Sequence, residues 1–143
     1  MGVGNTKICF YINKAIDINK WVPTHYSADA CIIELKGHKW TIQIHNIYNP
    51  QQTNSSLYMI LELLRTKREH ILLEDFNLHH PFWGSVTITS ADNVVDDLIC
   101  ATEATGLSLA TEVGMEIWAK STLTSILDLV FTSLWITDRL LQS

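Results

Sequence analysis

The chain has 143 residues, 47% of them apolar and 17% charged, with a formal net charge of −5 at pH 7. That length and apolar share exclude a disordered chain and predict a single domain, or part of one, over residues 1–143. The negative balance argues against a surface that gathers nucleic acid by bulk charge, but it does not decide the substrate, because a bound divalent cation needs carboxylates and then reverses the local sign.

From the start, Lys7 to Asn13 is rich in β-branched and aromatic residues and predicts a strand. The opening MGVGNTKICFYINK has neither the basic nor the long apolar region of a signal peptide. Ala30 to Leu35 predicts a second strand, and Trp40 to Ile47 a third after a turn at Gly37. In that third strand Ile42, Ile44 and Asn46 share one face and Gln43, His45 and Ile47 the other, before Pro50 ends it. Leu57, Ile60, Leu61 and Leu64 fall at helical spacing, with Asn54 as a cap and Arg65, Lys67 and Arg68 at the negative end of the dipole.

Ile71, Leu72 and Leu73 form a buried strand that runs into Asp75, Phe76 and Asn77, followed by a polar loop. A second helix is predicted from about Ala91 to Thr105, capped by Ser90, stopped by Gly106, with Val94, Val95, Leu98, Ile99 and Thr102 as its buried stripe. Leu107 to Ala110 and Ile126 to Thr132 read as the last strands. The apolar tract Leu123 to Ile136 is too short to span a bilayer and carries Asp128, so it reads as a core strand or strand plus turn. Cys9, Cys31 and Cys100 have no paired spacing and read as reduced, mostly buried thiols of an intracellular protein. Strands and helices in this mixed order predict an α/β fold, a layered α/β sandwich.

Several residues have the chemistry of a site. Alternation along a strand points Asp75 and Asn77 one way and Phe76 the other, at a strand end where α/β enzymes place their polar groups. Asp and Asn are also ordinary turn residues there. Asp128, inside an apolar strand, must be paired or hydrogen-bonded to stay charged. Tyr48, before Asn49 and Pro50, reads on residue type as a strand-end aromatic. His79 and His80 lack the spacing of a zinc site and read as loop residues, with Pro81, Phe82 and Trp83 anchoring the loop by apolar packing. Trp83 could instead stack on a base.

The triplet Asp75-Phe76-Asn77 resembles the Gly-Asp-Phe-Asn motif of the endonuclease/exonuclease/phosphatase superfamily, and DFNLHHPFWG resembles the endonuclease domain of non-LTR (LINE-type) retrotransposons, fungal ones in particular. Further matches follow in order: Lys7 to Trp21 is similar to the family's early strand and hairpin, Ile44 to Pro50 to its Asn-x-Tyr-Asn-Pro segment, and Ser125 to Phe131 to its Ser/Thr-x-x-Asp-Leu motif. Gly114 to Trp118 is similar to its Gly-Thr-x-Thr-Trp turn. The resemblance implies that Asp75 orients or activates water or assists the leaving oxygen, and that Asn77 and Tyr48 hold phosphate oxygens. It also implies that Asp128 fixes neighbouring groups and that Mg²⁺ or Mn²⁺ assists cleavage of DNA. His79, His80 and Trp83 would form a DNA-contacting loop.

The pattern is incomplete. The family's early glutamate, its principal metal ligand, and its closing Ser-Asp-His triplet, which carries the general base, have no counterparts, so the metal ligands are unassigned. The chain reads as the middle of a domain truncated at both ends, impaired or inactive alone, with exposed sheet edges that favour self-association. Glu74 stands where the family has glycine, and its carboxylate predicts distorted packing that Glu74→Gly would relieve. The competing readings are a dead remnant, a nucleic-acid-binding module, and a phosphatase of the same superfamily. No membrane association is expected, and the retrotransposon reading implies the nucleus.

Overall fold

The computed structural model describes residues 7–48, 58, 61–62, 64–66, 68–75, 80–82, 95–111, 118–120, 123–125 and 128–140. Runs of β-branched residues become its central strands because a pleated, half-buried surface suits their stiff side chains. In chain order the strands are β1 (Trp21–Ser27), β2 (Ala30–Lys36), β3 (Thr41–Tyr48), β4 (Glu69–Asp75), β5 (Leu107–Leu109), β6 (Trp118–Lys120), β7 (Leu123–Ser125) and β8 (Asp128–Ser133). The helices are labelled α1 (Val95–Ala104) and α2 (Leu134–Leu140), and a 3-10 turn at Ile18–Lys20 is capped by the Asp17 side chain.

Six strands form one mixed sheet in the order β1-β2-β3-β4-β8-β5, and β6 pairs with β7 in a separate hairpin. The parallel pairing of β3 with β4 needs a crossover, and residues 58, 61, 62 and 64 within it are helical. Leu64 from that crossover and Val95 and Leu98 from α1 join Ala30, Ile47, Leu72, Leu129 and Phe131 in one core cluster. On the opposite face Cys31, Ile33 and Thr132 are buried, whereas Ile44, Ile71, Leu73 and Val130 are only partly covered.

The expected strand over Lys7 to Asn13 does not form. The segment is tied at single points instead: Lys7 N–H donates to Ala28 O at 3.0 Å, and Asn46 Nδ2 donates to Cys9 O at 3.2 Å. A strand needs a partner edge, and the edge of β2 is taken by β1, which the short turn at Ala28 and Asp29 brings alongside at little loop-closure cost. Tyr11 is accordingly exposed.

The tail of the apolar tract is a second departure. It leaves β8 as the helix α2, with Ile136 buried and Leu134 and Trp135 exposed. Thr137 Oγ1, one turn into α2, sits 2.6 Å from Thr132 Oγ1 and 3.1 Å from Ser108 Oγ, which ties α2 back to β8 and β5. The cysteines are free, but only Cys31 is buried while Cys9 and Cys100 are exposed, which corrects the expectation of mostly buried thiols. Cys100 lies on α1 outside the stripe Val95, Leu98, Thr102, so helical periodicity alone turns it to solvent.

The second helix ends as its sequence predicts. Gly106 has φ +72°, its N–H donates to Glu103 O at 3.1 Å, and a Cβ there would meet nothing within 4 Å. Glycine is needed for the backbone conformation and not for space. At Gly37 the reverse holds: a Cβ would collide with the ring of Trp40, and Gly37 N–H donates to Trp40 O at 2.9 Å to close the β2–β3 hairpin. The predicted cap Ser90, the stripe residue Val94, Asn54, Leu57, Ile60 and the turn Gly114–Ile117 lie outside the described residues. No helix among the described residues is long and apolar enough to cross a membrane.

Candidate active site

Register brings three of the candidate residues into one row. Tyr48, the last residue of β3, pairs with Asp75, the last of β4, and Asp75 pairs in turn with Asp128, the first of β8. Adjacent strands are about 5 Å apart, so the row spans roughly 10 Å across the ends of three strands. These residues are 27 and 53 positions apart in the chain, and only the parallel β3–β4 pairing followed by the antiparallel β4–β8 pairing aligns them. The row terminates the central strands, where polar groups can meet a ligand while the strands beneath hold them rigid.

Around Tyr48 the contacts are specific. Its N–H donates to Asp29 O at 2.9 Å, which docks the β1–β2 turn beside the row. Lys7 Nζ pairs with Asp29 Oδ1 at 3.0 Å and lies 5.7 Å from the centroid of the Tyr48 ring. A cation therefore stands at the row through a residue the sequence reading assigned only to a strand.

One row inward, Ile47, Glu74 and Leu129 are aligned in the same way, and Ile47 and Leu129 are 2% and 1% exposed. Glu74 thus occupies a position whose two strand neighbours are core residues. Asn77, His79 and Trp83 lie outside the described residues. His80 is partly buried, and its Nδ1 accepts from Phe82 N–H at 2.9 Å. It lines a largely apolar cleft of about 390 Å³ with Phe82, Ile99, Leu107, Leu109 and Phe131. Pro81 and Phe82 are exposed, Phe82 at 56%, although Phe82 still lines that apolar cleft.

Sequence reading missed a buried polar pair. His45 and His70 are 1% and 3% exposed, and His45 Nε2 lies 3.0 Å from His70 Nδ1. His70 Nε2 lies 3.3 Å from the carbonyl oxygen of Thr66, which can only accept, and 3.4 Å from its hydroxyl, which can do either; the tautomer that satisfies both carries the proton on Nε2 and leaves Nδ1 to accept from His45. Burial, and then the neighbouring His70, push the His45 pKa down to about 3, and burial lowers that of His70. The signal was that His45 shares a strand face with Ile47 on β3, which marks a core-facing position without saying what meets it.

The row supplies two aspartates, hard oxygen donors of the kind Mg²⁺ and Mn²⁺ prefer. Among the described residues, however, no group of three or more His, Cys, Asp and Glu stands together as a metal site.

Residues 42–143 match a protein family described as endonuclease-reverse transcriptase. Among curated proteins nothing matches. Among solved structures, the chain is similar to the endonuclease domain of TRAS1, a telomere-specific non-LTR retrotransposon, with a TM-score of 0.64 and 18% identity over 85% of this chain and 59% of that domain. It is also similar to an endonuclease/exonuclease/phosphatase family protein from Bacteroides thetaiotaomicron, at TM-score 0.44 and 15% identity over 73% of this chain and 40% of the other. The chain therefore spans about three fifths of the TRAS1 domain. The TRAS1 likeness shows the fold, a mixed sheet of the endonuclease/exonuclease/phosphatase type.

Proposed function

This chain belongs to the endonuclease-reverse transcriptase family, and we propose that it is a DNA endonuclease domain of a LINE-type, fungal-like retrotransposon, whose work is to nick a target strand. The observation that carries the reading is the row Tyr48, Asp75, Asp128 at the ends of three adjacent strands. In this proposal the Asp75 carboxylate orients or activates the attacking water or assists the leaving oxygen, and the Tyr48 hydroxyl donates to a phosphate oxygen. Lys7, beside Tyr48, adds positive charge where the phosphate would lie. Asp128 fixes its neighbours by hydrogen bonds, Asn77 holds a second phosphate oxygen, and the His79, His80, Trp83 loop contacts the strand. A divalent cation, Mg²⁺ or Mn²⁺, would supply Lewis-acid stabilisation of the phosphate charge when bound.

A second reading, a fold kept for binding without turnover, is favoured by Glu74, an acidic residue placed directly before Asp75 in a row of core residues. Nicking of supercoiled plasmid separates the two. The proposal expects relaxed circles, formed slowly because the family's metal-ligand glutamate and general-base histidine have no counterparts in this chain, that require Mg²⁺ or Mn²⁺ and vanish in Asp75→Ala. No cleavage under any divalent cation supports the binding reading and rejects the enzyme for this chain.

A further inference from the structure

At the opposite end of the sheet from the row, a cleft of about 750 Å³ opens between the β2–β3 hairpin, the start of β4 and α2. Its walls include Lys39, Trp40, Arg68, Glu69, Trp135 and Arg139. β3 and β4 run from this cleft at Thr41 and Glu69 to the row at Tyr48 and Asp75, which separates the two by roughly 20 Å at the rise of a strand. We propose that this cleft is a binding site for single-stranded nucleic acid, distinct from the row and standing whether or not the row cleaves DNA.

The cleft combines the two features such sites need, flat rings and phosphate-binding cations. Trp40 and Trp135 are 43% and 38% exposed, unusual for the largest side chain on one small surface. Trp40 is held by its contact with Gly37, where any side chain would collide with the ring. The Arg139 guanidinium lies 4.4 Å from the Trp135 ring centroid, a stacked arrangement that fixes both groups before a ligand arrives.

Charge supports the same occupant. Three of the chain's ten Lys and Arg line this one cleft, in a protein whose net charge is −5. Arg68 is paired with Glu34, and Lys39 and Arg139 have no ion-pair partner among the described residues. Two cations without an ion pair among the described residues, beside two exposed indoles, suit a short stretch of backbone with its bases unstacked. A duplex, whose bases are hidden in the stack, offers the rings nothing. The volume falls within the range of about 300–1,000 Å³ typical of small-ligand sites, enough for one or two nucleotides.

The test is fluorescence anisotropy of fluorescein-labelled octathymidylate with the full chain in EDTA, which silences metal-dependent cleavage. The site predicts saturable binding whose affinity falls with salt at a log–log slope of about −1.4, two phosphates at about 0.7 each. Lys39→Gln combined with Arg139→Gln, both exposed side chains, weakens binding about tenfold or more with unchanged circular dichroism, and Trp40→Leu does the same by removing a stacking surface. Asp75→Ala binds as the parent does. The proposal is overturned if octathymidylate does not bind, if the double variant binds like the parent, or if Asp75→Ala abolishes binding, which would place the strand on the row. Equal affinity for a duplex of the same length, or for thymidine monophosphate, also overturns it, the latter by showing a mononucleotide pocket.

Discussion

His45 on β3 donates from Nε2 to Nδ1 of His70 on β4 across 3.0 Å of protein interior, and both rings are neutral because burial disfavours their charged forms. The two residues are diagonal neighbours across the parallel pair, since His45 pairs with Leu72 and His70 with Gln43. The remaining contacts of His70 extend the link: its N–H donates to Ser133 Oγ at 2.8 Å, which couples the pair to β8.

This arrangement makes stability depend on pH with a definite sign. The folded-state pKa of His45, about 3, lies below the ordinary 6.5, so between those values the unfolded chain holds a proton that the folded chain does not. The stabilisation is fully present above pH 6.5 and is lost as the pH falls toward 3, at about 1.4 kcal/mol per unit for one proton. Urea denaturation from pH 7 to pH 4 is expected to show this acid limb, and a flat profile would contradict it.

Replacing one partner exposes the other. His45→Leu leaves the Nδ1 of His70 without its donor in the core, a loss of about 1–3 kcal/mol at pH 7. Its acid limb should also be shallower than the parent's, because one of the two depressed groups is gone. Denaturation midpoints at pH 7 and pH 5 measure both effects together.

Glu74 stands between Ile47 and Leu129 in register, and a carboxylate at a position flanked by core residues is costly unless it finds a partner. Glu74→Val is expected to raise the thermal midpoint, by about 1–3 kcal/mol of added stability. Glu74→Gly is expected to raise it less, by about 0.5–1 kcal/mol, since glycine weakens a strand interior. A fall in both variants would show that the carboxylate has a stabilising partner.

The left-handed backbone at Gly106 gives a separate check on helix termination. Gly106→Ala meets no steric neighbour, so its whole effect comes from φ +72°, an expected loss of about 1 kcal/mol in chemical denaturation.

Lys7 joins the row only through the fold, and its removal tests the phosphate site directly. Lys7→Ala should cost little stability, about 0–1 kcal/mol for a half-exposed ion pair. It should reduce the salt dependence of duplex DNA binding by close to one phosphate, about 0.9 in log–log slope. An unchanged slope would place the phosphate away from Tyr48.

What the sequence determined by itself was local. Branched residues in Ala30 to Leu35 and Trp40 to Ile47, the apolar run before Asp75, the stripe Val95, Leu98, Thr102 and the stop at Gly106 all express periodicity or backbone preference within a few residues, and each is found in the fold. The motif around Asp75 also pointed to the family. The tertiary structure decided which residues meet. Lys7 to Asn13 has strand propensity, but the edge of β2 went to the nearer Trp21–Ser27. The row Tyr48, Asp75, Asp128, the pair His45 and His70, and the cleft that joins Trp40 to Trp135 depend on strand order and register. Those are set by burial of whole faces against distant partners, a property that no window of sequence contains.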